Sequence, residues 1–95
     1  MFYIVRVDEN ARYMDEEARH TLGEYQSADE ALAVARRVVD EDLAELFRPG
    51  MSAATLFNQY TTFGRDPFIV SDDPACTFSA WDYARARSRE LCGEA

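Results

Sequence analysis

The feature that most constrains this chain is a helix bracketed at both ends. Ser27-Ala28-Asp29-Glu30 reads as a capping box: the Ser27 hydroxyl accepts from the backbone N–H of Glu30, and the Glu30 carboxylate reaches back to the N–H of Ser27. From there Ala28, Ala31, Leu32, Ala35, Val39, Leu43 and Leu46 recur at helical spacing. Arg36 with Asp40 and Arg37 with Glu41 form i,i+4 pairs on the wet side. Arg48-Pro49-Gly50 forces a turn just past Phe47.

Strand-like segments lie on either side of that helix. Phe2 to Val7 is dense in β-branched and aromatic residues and almost continuously apolar, which predicts a central strand covered on both faces, with Arg6 looking outward. His20 to Tyr25 predicts a second strand antiparallel to the first, weakened inside by Gly23. The polar connection from Glu9 to Arg19 is long for a hairpin and is a candidate functional loop. Further on, Ser52 caps a helix carrying Leu56, Phe57, Tyr60 and Phe63 on one face. Pro67 to Ser71 is a third short strand, ended by Asp72-Asp73-Pro74. Ser79-Ala80-Trp81-Asp82 repeats the capping logic for a last helix, which runs to about Cys92 before Gly93, with Trp81, Ala84, Ser88 and Leu91 on one face. The expected fold is α+β in the order β-β-α-α-β-α, a small, mainly antiparallel sheet packed against helices.

The 95 residues suit one domain spanning 1–95. A chain of this size buries only about 60 to 65 per cent of its unfolded surface, so a partner subunit that covers more would stabilise it. The formal net charge is -8 and every basic residue is arginine. Residues 1 to 47 hold twelve acids against five arginines, so the acidic face belongs to the N-terminal half. Such a charge disfavours direct binding to phosphate backbones. Arg85, Arg87 and Arg89 do not form one stripe, because steps of two scatter them around a helix; they complement its C-terminal dipole. No apolar run is long enough to span a bilayer, and no signal peptide is evident. Cys76 and Cys92 form neither a disulfide framework nor a C-x-x-C motif. The expected location is the cytoplasm, with both thiols reduced.

Six of the twelve aromatic residues, Tyr60, Phe63, Phe68, Phe78, Trp81 and Tyr83, fall between Tyr60 and Tyr83, interleaved with Arg65, Asp66, Asp72, Asp73 and Cys76. Asp66 and Asp73 each precede a proline and serve turns. That leaves Arg65, Phe68, Asp72, Cys76 and Trp81 as the candidate recognition residues. From Pro49 to Gly64 there is no charge, so the helix from Ser52 to Phe63 is a candidate for self-association. No phosphate loop, no G-x-S-x-G and no H-E-x-x-H is present, and no catalytic residue, metal ligand or cofactor is assigned.

Tyr3-Ile4-Val5-Arg6-Val7-Asp8, Leu22-Gly23-Glu24-Tyr25, Phe63-Gly64-Arg65-Asp66-Pro67-Phe68-Ile69 and Ser79-Ala80-Trp81-Asp82-Tyr83-Ala84 together resemble a group of small uncharacterised bacterial proteins. The resemblance implies a self-contained bacterial domain and carries over no site residues. The expected function is a small acidic binding or regulatory module, non-enzymatic and dimeric. Two alternatives are a metal- or thiol-dependent hydrolase using the Asp66–Cys76 loop with His20, and an acidic mimic of nucleic acid presenting Glu16, Glu17, Asp40 and Glu41.

Overall fold

The computed structural model describes residues 1–9 and 20–94. Its elements are β1 (Tyr3–Glu9), β2 (His20–Tyr25), α1 (Ala28–Leu46), α2 (Ala53–Phe63), β3 (Arg65–Ser71) and α3 (Ala80–Leu91), an α+β fold in the expected order. The strands form one antiparallel sheet ordered β2-β1-β3. Tyr3 lies opposite Tyr25 on one side and Ser71 on the other; Val7 lies opposite His20 and Pro67. Between Val5, opposite Gly23, and Arg6, opposite Thr21, the register with β2 slips, which makes Leu22 the extra residue of a bulge.

Burial along β1 alternates strictly. Tyr3, Val5 and Val7 are buried, while Ile4 and Arg6 are only half-buried. The cover expected on both faces is therefore found on one. An apolar run permits burial on two sides, but among the described residues helices pack on the side of Tyr3 and Val5 alone. There Ala31 and Ala35 of α1, small enough to bring the helix close, meet Tyr3 and Val5, with Ile69 alongside.

The second half of α1 serves another core, in which Val39 and Leu43 pack with Leu56 and Tyr60 of α2 and Ala80 and Ala84 of α3. The three helices start as their sequences dictate: Ser27, Ser52 and Ser79 accept through Oγ from the N–H groups of Glu30, Thr55 and Asp82. Each cap contributes about 1 kcal/mol. Gly50, at φ 84°, supplies the left-handed turn between α1 and α2. At the α2–β3 junction a Cβ on Gly64 would stand 2.5 Å from the Tyr60 ring, so only glycine lets the backbone cross that ring.

Several local expectations are corrected by tertiary partners. Asp40 does not serve Arg36; it accepts from the Tyr83 hydroxyl at 2.9 Å and from Arg87 Nε at 3.1 Å, tying α1 to α3. Strand β3 begins at Arg65, two residues before Pro67, and Pro67 is fully buried opposite Val7. An edge strand tolerates that missing N–H because it has a neighbour on one side only. Phe63 overhangs the end of α2 and is 67% exposed, although Leu56 and Tyr60 of the same expected face are buried.

Candidate functional site

The sheet face turned away from α1 is apolar where a solvated face is expected to be polar. Phe2, Leu22 and Val70 are 38 to 40% exposed there, beside half-buried Ile4 and Phe68. The register with β3 puts Ile4 opposite Val70 and Arg6 opposite Phe68, and Leu22 is the exposed bulge residue next to Thr21, the partner of Arg6 on β2. Arg6 sits in the middle of the face, its Nε buried without a hydrogen-bond partner. Carboxylates mark the rim. Glu24 lies opposite Ile4, and Asp66 lies opposite Asp8 at the far end. Burial, and secondarily the Asp8 charge, push the Asp66 carboxyl above its ordinary range.

Phe68 also belongs to a groove of about 300 Å³ at the β3 edge, lined with Asp66, Pro67, Phe78, Ser79, Ala80 and Trp81. Trp81 is 43% exposed, because it stands on the flank of α3 and not in the buried stripe of Ala84 and Ser88. Its ring meets Phe57 edge-on at 6.3 Å between centroids, and Arg85 stacks over Phe57 at 4.9 Å. These contacts hold the indole in place while leaving much of it open to a ligand.

Of the residues singled out from sequence, Phe68 and Trp81 come together in this groove and the others do not. Arg65 is engaged within the fold: Asp42, 8% exposed, accepts from its backbone N–H at 2.7 Å and from its guanidinium at 2.8 and 3.1 Å. The pairing holds the Arg65 guanidinium above its usual range. Asp72 is exposed past the end of β3, where it accepts from the Phe2 N–H at 3.3 Å. Asp73 accepts from the Tyr3 hydroxyl at 2.8 Å and the Ala75 N–H at 2.9 Å, which lowers its own pKa; the first of these bonds, with burial, pushes the Tyr3 hydroxyl up to about 12. Cys76 packs against the core under the sheet, where burial, aided by the Asp73 charge, raises its thiol pKa. A thiol shifted that way is a poor nucleophile at neutral pH.

His20 stands at the opposite end of the sheet. It pairs with Val7, whereas Asp73 and Cys76 follow the strand end that pairs with Tyr3, about 13 Å further along. Asp66, at the His20 end, is separated from it by the full width of β1, about 10 Å. General-base catalysis needs contact within about 3.2 Å or through one water. No group of three or more His, Cys, Asp or Glu side chains able to hold a metal ion occurs among the described residues.

The remaining candidates are partly absorbed by the fold. Asp40 is tied to Tyr83 and Arg87, and Glu41 reaches Arg65 at 3.4 Å. Glu16, Glu17 and most of the Glu9–Arg19 loop lie outside the described residues. Arg85 and Arg87 are engaged with Asp82, Asp40 and Glu90. On α2 the outward side is uncharged, and Thr61 and Thr62 turn their hydroxyls back to the Asn58 carbonyl. No described helix is long and apolar enough to cross a membrane.

No family model, curated protein or solved structure matches the chain, so the chemistry of the site rests on its own geometry. What sequence reading missed is the contribution of Phe2, Ile4, Leu22 and Val70. A signal was present: Phe2, Ile4 and Arg6, like Phe68 and Val70, alternate with the residues that face α1.

Proposed function

We propose that the protein is a small, non-enzymatic binding module whose partner docks on the sheet face turned away from α1 and seats a side chain in the groove between Phe68 and Trp81. One observation carries this reading: Phe2, Leu22, Val70 and Trp81 are each 38 to 43% exposed, and Phe68 links the three on the sheet to the fourth. Clustered exposure of large apolar groups marks interaction surfaces. Tryptophan is among the residues that dominate such interfaces. The module acts in the cytoplasm, where Cys76 and Cys92 stay reduced.

Replacing Leu22→Thr and Val70→Thr together tests it. Both residues are exposed, so the Tm and circular dichroism should stay close to wild type. Retention of the native partner from cell extract should fall tenfold or more, since two buried aliphatic contacts are worth about 2 kcal/mol. Unchanged retention overturns the reading. Self-association through α2 is a second reading, supported by its uncharged outward side and by Phe63 at 67% exposure; sedimentation of wild type against Phe63→Ser decides it.

A further inference from the structure

We infer that the partner element taken by the sheet face is a basic amphipathic helix. This rests on the docking reading above and adds the chemistry of the occupant.

The dimensions of the face come first. Three strands about 4.8 Å apart and up to seven residues long present a face of roughly 14 by 23 Å, or about 320 Å². A stable interface buries about 800 Å² per partner, so any occupant of this face must also reach beyond the sheet. A helix about 10 to 12 Å across matches the width, and about 15 residues of it match the length. Its flanks would reach past the sheet toward Phe68 and the groove beside Trp81. Covering the sheet on its second side in this way completes a helix–sheet–helix sandwich, a common solution to a half-covered sheet.

Charge decides the character of the helix. Glu24 and Asp66 lie at the edges of the apolar patch and Asp72 stands by Phe2, with Arg6 the one cation on it among the described residues. The whole chain carries a net charge of -8. A second copy would bring the same acidic rim and be repelled, whereas Lys or Arg flanking an apolar stripe complements it.

The probes are two 16-residue peptides with the same leucine stripe, one flanked by lysine and one by glutamate. Binding is followed by the fluorescence of Trp81, the only tryptophan, and by backbone amide shifts. The lysine peptide is expected to bind at least tenfold tighter than the glutamate peptide, to gain helicity and to weaken as salt rises. Its shifts should centre on Ile4, Leu22, Phe68 and Val70, and Leu22→Thr with Val70→Thr should abolish them. Equal or reversed preference, or shifts confined to the acidic face of α1, overturns the inference. If neither peptide binds but the wild type dimerises and the double variant stays monomeric, the occupant is a second copy: the inference falls and the docking face stands. If neither peptide nor self-association involves this face, and partner capture ignores the double variant, both readings fall.

Discussion

On the inner face of the sheet Tyr3, Val5 and Val7 are 6% exposed or less, Tyr3 and Val5 against the alanines of α1; on the outer face Phe2, Leu22 and Val70 are 38 to 40% exposed. The two faces draw on the same residue classes, even within one strand. What separates them, among the described residues, is that a helix lies across the first and not the second. An apolar strand face specifies that cover is needed, and the rest of the sequence specifies whether the chain itself provides it.

The clamp on the inner side gives the strongest way to break this contrast. Asp42→Ala removes the acceptor for both the backbone and the guanidinium of Arg65, and so the tie between α1 and β3. Losing one partner of a largely buried pair should cost about 3 kcal/mol in urea unfolding, with Asp42→Asn recovering part of it by keeping an acceptor for the N–H. A cost under about 1 kcal/mol would show that α1 is held to the sheet by apolar contacts alone.

Matched truncations compare the faces directly. Val5→Ala should cost about 2 to 3 kcal/mol through lost burial and a residual cavity. Val70→Ala should cost under about 0.5 kcal/mol. Equal costs would mean that the outer face is covered in solution, and a concentration-dependent midpoint for Val70→Ala would identify that cover as another copy.

The smallest effect sharpens the electrostatics of the outer face. Folding raises the Asp66 pKa through burial and the facing Asp8, so the folded chain holds that proton more tightly than the unfolded one. The favourable contribution is complete below the unfolded value near 3.9 and is lost as pH rises through the folded pKa. Asp66→Asn should therefore stabilise by about 0.2 to 1 kcal/mol at neutral pH, the range for relieving a cross-strand like-charge pair, with no gain in acid. Midpoints measured across pH check the sign.

Helix starts were legible because a cap is a local event: Ser27, Ser52 and Ser79 each act on a residue three positions on. The order of elements followed from the same local signals. Sequence spacing could not reveal that Asp40 leaves its own helix for Tyr83 and Arg87, nor that Asp42 is buried, because both partners lie in elements distant along the chain. In the candidate site Phe68 and Trp81 were legible as large anchors among turn residues, and their meeting in one groove depends on how α3 docks beside β3. Arg65 looked like a ligand-reading residue because nothing in the sequence marks Asp42 as its mate. The outer-face residues were hidden by an assumption about cover, although their alternation was in plain view.

The central position of β1 also sets the order in which the molecule can assemble. One neighbour, β2, is nearby in sequence, but the other, β3, arrives only after residues 10 to 64, including two helices, have been made. Closing so long a loop costs entropy before any contact rewards it, which makes the β1–β3 pairing the natural slow step of folding. On the ribosome β1 emerges before β3 and keeps one edge without its native neighbour until Ser71 is out. Through that interval Tyr3, Ile4, Val5 and Val7 form an exposed β-rich segment, and it is there, before the native sheet exists, that the chain is most open to pairing with the wrong strand.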